Sequence, residues 1–82
     1  MIKVTVKLFA LCKELAGTDK IELEFVDGAD RHALVSELNI RFPALRDLLP
    51  QTAFAINNIY ESSNFTLQNG NKIDLIPPVS GG

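Results

Sequence analysis

Hydrophobic and polar positions alternate along the first nine residues. Ile2, Val4, Val6 and Leu8 fall on one side, with Lys3, Thr5, Lys7 and Phe9 on the other. A period of two predicts a half-buried strand over residues 2–9. Leu11 and Leu15 are four apart and precede Gly17, which predicts one helical turn and its stop. Alternation returns over residues 20–26. Ile21, Leu23 and Phe25 point inward there, and Lys20, Glu22 and Glu24 point outward. These two strands form the first antiparallel pair, joined by a loop longer than a tight turn.

The period then changes. After Asp27-Gly28, Leu34, Leu38 and Phe42 recur every four residues with Val35 beside them. This is one apolar stripe on a helix over roughly residues 30–41. Asp30 is its N-cap, and Pro43 ends it because the residue before proline is pushed out of the helical region. Leu45, Leu48 and Leu49 predict a further short turn over the core, terminated by Pro50. Residues 53–57 read as a third strand, and residues 58–68 as polar and irregular with Tyr60 and Phe65 as isolated aromatics. Asn69-Gly70 signals a tight turn, since both residues tolerate positive φ. Residues 72–76 form the last strand and run into Pro77-Pro78.

Two strand pairs around one long helix suit a mixed sheet packed on that helix, an α+β architecture. The β-grasp (ubiquitin-like) fold has this order. A domain over residues 1–76 and a flexible C-terminal tail over residues 77–82 are expected.

Composition narrows the function. The chain has 82 residues, 46% of them hydrophobic, enough for one small core. No apolar stretch approaches the ~18 residues that span a membrane. The N-terminus lacks the apolar block of a signal peptide, so a cytoplasmic protein is expected. Net charge is −2 with both signs interspersed, which argues against nucleic acid as a partner.

Catalytic chemistry finds little support. A single cysteine, Cys12, excludes an internal disulfide and a Cys-cluster metal site. It reads as a small residue packed at a loop edge, because only Lys13 is at hand to activate the thiol. His32, the one histidine, reads as a solvated residue in the first turn of the helix. Glu22 and Glu24 read as solvated strand residues. No metal and no bound cofactor are expected.

What remains is the run Ile76-Pro77-Pro78-Val79-Ser80-Gly81-Gly82. Residues 77–82 extended at ~3.3 Å each reach about 20 Å. Pro77 and Pro78 fix φ and favour a stiff departure, which lowers the ordering cost of insertion into a channel. Gly81 and Gly82 carry no side chain, so that channel can be narrow and exclude water from an activated acyl group. A carboxylate is a poor electrophile until activated, most simply by adenylation with ATP. A chain without catalytic groups is thus coherent as a carried substrate, with catalysis held by its partners.

The ending Leu67 to Gly82, the segment Leu8-Phe9-Ala10-Leu11-Cys12-Lys13-Glu14-Leu15-Ala16-Gly17 and Ala55-Ile56-Asn57 together resemble the molybdopterin synthase sulfur-carrier (small) subunit family. Pro-Pro-Val-Ser-Gly-Gly is the most specific part. The turn Asn69-Gly70-Asn71-Lys72 departs from the family's Asp-Gly-Asp-Glu, and Lys13 stands where Arg is frequent. The resemblance implies that a ubiquitin-activating-type enzyme adenylates Gly82, consuming ATP, and that a persulfide then converts it to a thiocarboxylate. It implies insertion of the tail into the large synthase subunit, within a heterotetramer whose catalytic lysines lie in that large subunit. There, sulfur passes to cyclic pyranopterin monophosphate. Phe9, Tyr60 and Ile76 match an exposed apolar docking patch of the family, with Lys13 at its polar rim. On this reading the chain is a carrier and not itself an enzyme. The alternatives are a ubiquitin-like modifier conjugated through Gly82 and a plain β-grasp binding module.

Overall fold

A computed structural model describes residues 1–78. Five strands and two helices follow the chain as β1 (Ile2–Leu8), α1 (Ala10–Ala16), β2 (Lys20–Phe25), α2 (Arg31–Arg41), β3 (Ala53–Ile56), β4 (Ile59–Glu61) and β5 (Lys72–Ile76). Two short 3-10 turns, Pro43–Leu45 and Leu49–Gln51, lie between α2 and β3. The sheet order is β2-β1-β5-β3-β4. The β1/β5 pair is parallel and the other three are antiparallel. This mixed sheet wrapped on α2 is the β-grasp arrangement.

The alternation of β1 is realised as drawn from the sequence: Val4, Val6 and Leu8 are buried while Lys3 and Lys7 are exposed. Leu23 and Phe25 of β2, Phe54 of β3, and Ile73 and Leu75 of β5 join the same core. Helix α2 closes it with Leu34 and Leu38, four residues apart and both fully buried. Asp30 caps this helix, its Oδ1 accepting from the Ala33 N–H at 3.1 Å. Phe42, the last position of the stripe, is a half-buried C-cap rather than a helical core residue.

Some expectations are corrected. Phe9 lies outside β1, serving as the N-cap of α1. Val26 lies outside β2. Pro50 does not terminate the turn after Leu45 but sits inside the second 3-10 turn, where its missing N–H costs nothing. Residues 58–68 are not wholly irregular, because β4 pairs with β3 through Ala55↔Tyr60 and Ile56↔Ile59. The link is the two-residue loop Asn57-Asn58, with φ of 50° and 71°, as a type I′ hairpin turn requires. In the Asn69-Gly70 turn only Gly70 takes positive φ, at 85°.

The asparagines of this turn accept backbone hydrogens. Asn69 Oδ1 accepts from the Lys3 N–H at 2.8 Å, and Asn71 Oδ1 from the Gln68 N–H at 2.7 Å. A carboxylate oxygen could accept in the same places, so these hydrogen bonds do not require a charge at either position.

Helix α1 also differs from expectation. Its buried residue is Cys12, whereas Leu11 and Leu15 remain 45% and 41% exposed. Gly17 ends the helix at φ 76°, its N–H donating to the Lys13 carbonyl at 2.9 Å. Cys12 is thus a core residue of a helix, not a loop-edge residue. Burial pushes its thiol pKa up, partly offset by the Thr52 hydroxyl 3.9 Å from Sγ. A raised thiol pKa and a closed environment make a poor nucleophile.

Two outcomes are expected. Cys12 should resist a thiol-modifying reagent in the folded protein and react fully in denaturant; rapid native labelling would contradict this packing. The Asp30 carboxyl is held below its ordinary pKa, chiefly by the Ala33 N–H. The folded state therefore binds this proton less readily than the unfolded chain. The stability it contributes is in place above about pH 4 and is lost as pH falls through the lower folded-state pKa. Asp30→Asn keeps an acceptor but cannot titrate, so its urea midpoint should drop less between pH 7 and pH 3 than that of the wild type.

Candidate functional site

Leu34 and Leu38 of α2 pack in the core with the inward strand residues, and the residues of opposite parity make up the other face of the sheet. Side chains on that other face follow from the register. Lys7 stands opposite Lys20 on β2 and Asp74 on β5, Asp74 opposite Ala55 on β3, and Ala55 opposite Tyr60 on β4. The next row toward the end of β5 pairs Ile76 with Ala53. Phe9 joins that row, because its N–H donates to the Leu75 carbonyl at 3.3 Å. Phe9, Ile76 and Tyr60 therefore share one face, with the small residues Ala53 and Ala55 between the last two. Phe9 is 43% exposed, Tyr60 67%, and Ile76 is half-buried.

The placement of Phe9 involves backbone strain. Phe9 is extended, with φ −114° and ψ 154°, and Ala10 then reverses the chain at φ 49°. A left-handed alanine costs about 1 kcal/mol or more. The reversal turns the chain directly into α1 and leaves the Phe9 ring outside the core.

Lys13 sits one turn further along α1, its N–H directed at the Phe9 carbonyl at 3.4 Å. Lys13 is exposed and lines, with Lys7, Leu8, Phe9, Ala10, Asp19 and Lys20, an open groove of about 350 Å³. Of these lysines the sequence marks only Lys13 as a contact residue. Lys7 and Lys20 were legible as outward strand positions, but only the register shows that they face each other beside Phe9.

Pro77 is buried against the body and Pro78 is exposed. Val79, Ser80, Gly81 and Gly82 lie outside the described residues. The chain leaves the sheet at the same end as Phe9, since β1 and β5 run parallel.

Among the described residues, no group of three or more His, Cys, Asp or Glu side chains could hold a metal ion. His32 is exposed at the start of α2, and Glu22 and Glu24 are exposed on β2. Among those residues, no helix is long and apolar enough to cross a membrane. What the site offers is an apolar patch with a basic rim at the root of the C-terminal segment.

Comparison with known proteins agrees with this geometry. Residues 6–82 match the ThiS family model. The molybdopterin synthase sulfur carrier subunit of Mycobacterium tuberculosis is 34% identical over 83 residues, covering 100% of both chains. Among solved structures, a candidate molybdopterin converting factor subunit 1 from Pyrococcus furiosus superposes with a TM-score of 0.87. It is 30% identical and covers 96% of this chain and 100% of that one. Small archaeal modifier protein 1 from Methanosarcina acetivorans gives 0.83 at 28% identity, covering 100% and 98%. The complex of subunits 1 and 2 of the molybdopterin-converting factor from Helicobacter pylori gives 0.73 at 26%, covering 99% and 100%. A matched topology, a patch at the tail root and a family match running through Gly82 agree: the chain belongs to the ThiS family, as a ubiquitin-like β-grasp protein similar along its length to sulfur-carrier subunits of molybdopterin synthase.

Proposed function

We propose that this protein is the sulfur carrier of molybdopterin synthesis and that its reacting group is the terminal carboxylate of Gly82. The observation that carries this reading is the end-to-end match with the Mycobacterium carrier, which takes in Gly81-Gly82.

In the proposed cycle an adenylating enzyme of the ubiquitin-activating type binds the tail and ATP. A Gly82 carboxylate oxygen attacks the α-phosphorus, and pyrophosphate leaves. The terminal sulfur of a persulfide attacks the acyl carbon, and AMP leaves. A second thiol reduces the resulting acyl disulfide, giving the thiocarboxylate and a protein disulfide. The thiocarboxylate sulfur is then donated to the pyranopterin precursor in the large synthase subunit, and water restores the Gly82 carboxylate. The carrier binds no cofactor of its own; ATP belongs to the activating enzyme. The proposed setting of the cycle is the cytoplasm.

The body makes this tail usable. With Pro77 buried against the body, residues 78–82 have a reach of at most about 17 Å. A channel in the large subunit must therefore come close to the Phe9, Ile76 and Tyr60 face. The Helicobacter pair of subunits 1 and 2 supports such a partner. Apolar residues exposed on one face suit a protein interface, and Lys13 suits its rim.

The likeness to small archaeal modifier protein 1 favours a second reading, in which the activated glycine forms an isopeptide with lysines of other proteins. Gly82-linked conjugates in cells would mark that role, alone or beside sulfur transfer.

Two results are expected. A chain lacking Gly81 and Gly82 should keep its stability within about 0.5 kcal/mol, yet give no molybdopterin with the large subunit, the activating system and precursor. Product formation by the truncated chain would overturn the reading. Phe9→Ala should weaken binding to the large subunit by more than about 1 kcal/mol in calorimetry, as truncation of a buried aromatic anchor does. Unchanged affinity would remove Phe9 from the docking face.

A further inference from the structure

The strand pair β1/β2 is electrically uneven. At one end Lys3 stands opposite Glu24, and its ammonium lies 3.7 Å from Glu22. At the other end Lys7 stands directly opposite Lys20. Like charges facing each other across an antiparallel pair disfavour the fold. The ion pairs among the described residues use Lys3, Arg41 and the terminal amine, and none uses Lys7, Lys13 or Lys20. Asp19 lines the same groove and Asp74 stands opposite Lys7, but neither forms an ion pair with these lysines. The groove thus carries three lysines against one aspartate in a protein of net charge −2.

Its position is as informative as its charge. Phe9 is part of the groove wall, so the basic rim is continuous with the apolar patch at the tail root. The opposed lysines lie at the end of the sheet where β5 runs into Pro77. A charge arrangement that disfavours the free fold, at the end a partner must approach, fits an acidic counterpart on that partner.

We infer that Lys7, Lys13 and Lys20 form a cationic landing site for an acidic surface of the large synthase subunit, beside the channel that takes the tail. The inference rests on the carrier reading and adds to it the charge of the partner's docking face. Complementary charge of this kind acts mainly on the rate of encounter and is screened by salt. The apolar patch would then govern how long the complex lasts, and the lysines how fast it forms.

Stopped-flow association of the full chain with the large subunit, at low salt and at about 0.15 M salt, tests this. The wild-type rate constant should fall as salt rises. The double variant Lys7→Gln/Lys20→Gln should associate about 10-fold more slowly at low salt, with a flatter salt dependence and little change in dissociation. Adding Lys13→Gln should slow it further, whereas Lys3→Gln at the other end of the pair should leave the rate alone. The double variant should melt no lower than wild type, since an opposed pair has been removed. If its rate and salt dependence equal those of wild type while Phe9→Ala still weakens the complex, the lysine inference fails and the carrier reading stands. A lower melting temperature would assign the lysines to the fold and overturn the inference. If the wild type forms no complex with the large subunit, both readings fall.

Discussion

The parallel ladder between β1 and β5 joins the first strand of the chain to the last, from Thr5↔Lys72 to Leu8↔Leu75. Parallel strands cannot be linked by a tight turn, so the chain must travel around the molecule between them. Helix α2 lies on that path, and its Leu34 and Leu38 are buried in the core with Val6, Leu8, Ile73 and Leu75. The ladder therefore depends on the core, and the core depends on the ladder's register. A slip of one residue would send Ile73 and Leu75 outward and Asp74 and Ile76 inward. Because both strands end on the same side, Phe9 comes to rest beside Ile76 at the root of the tail.

That constraint separates two roles usually combined in one protein. The folded body supplies a rigid base, an apolar face and a basic rim. On the proposed function the reacting group is the Gly82 carboxylate, and the partners supply the acids and bases that act on it. The positive φ at Ala10 fits the same division, since it turns the chain from β1 straight into α1 beside the outward-facing Phe9. Cys12, the only thiol, is withdrawn from solvent, so the body offers no competing sulfur nucleophile at its surface.

Much of this was legible in the sequence because long elements have strong periods. The alternation of β1 and β2, the four-residue recurrence of Leu34 and Leu38, and the Asp30 cap each follow from local physics. Strand β4 was not legible: it is three residues long, and Ile59 and Tyr60 are both exposed, so it carries no burial pattern. Its signal was Asn57-Asn58 between Ile56 and Ile59, a type I′ turn written without glycine. Helix α1 misled for a related reason. Seven residues are too few for periodicity to decide which face is buried, and Cys12 and Ala16 face the core instead of Leu11 and Leu15. The Lys7–Lys20 opposition required the register, which no single strand reveals. The tail's own chemistry, two stiff prolines and two glycines without side chains, points to a carried carboxylate at Gly82, whereas the sulfur it would carry follows only from the resemblance of the whole chain.

On the proposed function the Gly82 carboxylate is the group through which this protein carries sulfur. Intact-mass and fragment-ion spectrometry, after incubation with the activating enzyme, ATP and a persulfide donor, tests it most directly. The account predicts a mass gain equal to one oxygen replaced by sulfur, carried by the fragment that ends in Gly82 and lost after transfer to the precursor. An unchanged mass with every component present, or sulfur located on Cys12 instead, would contradict it.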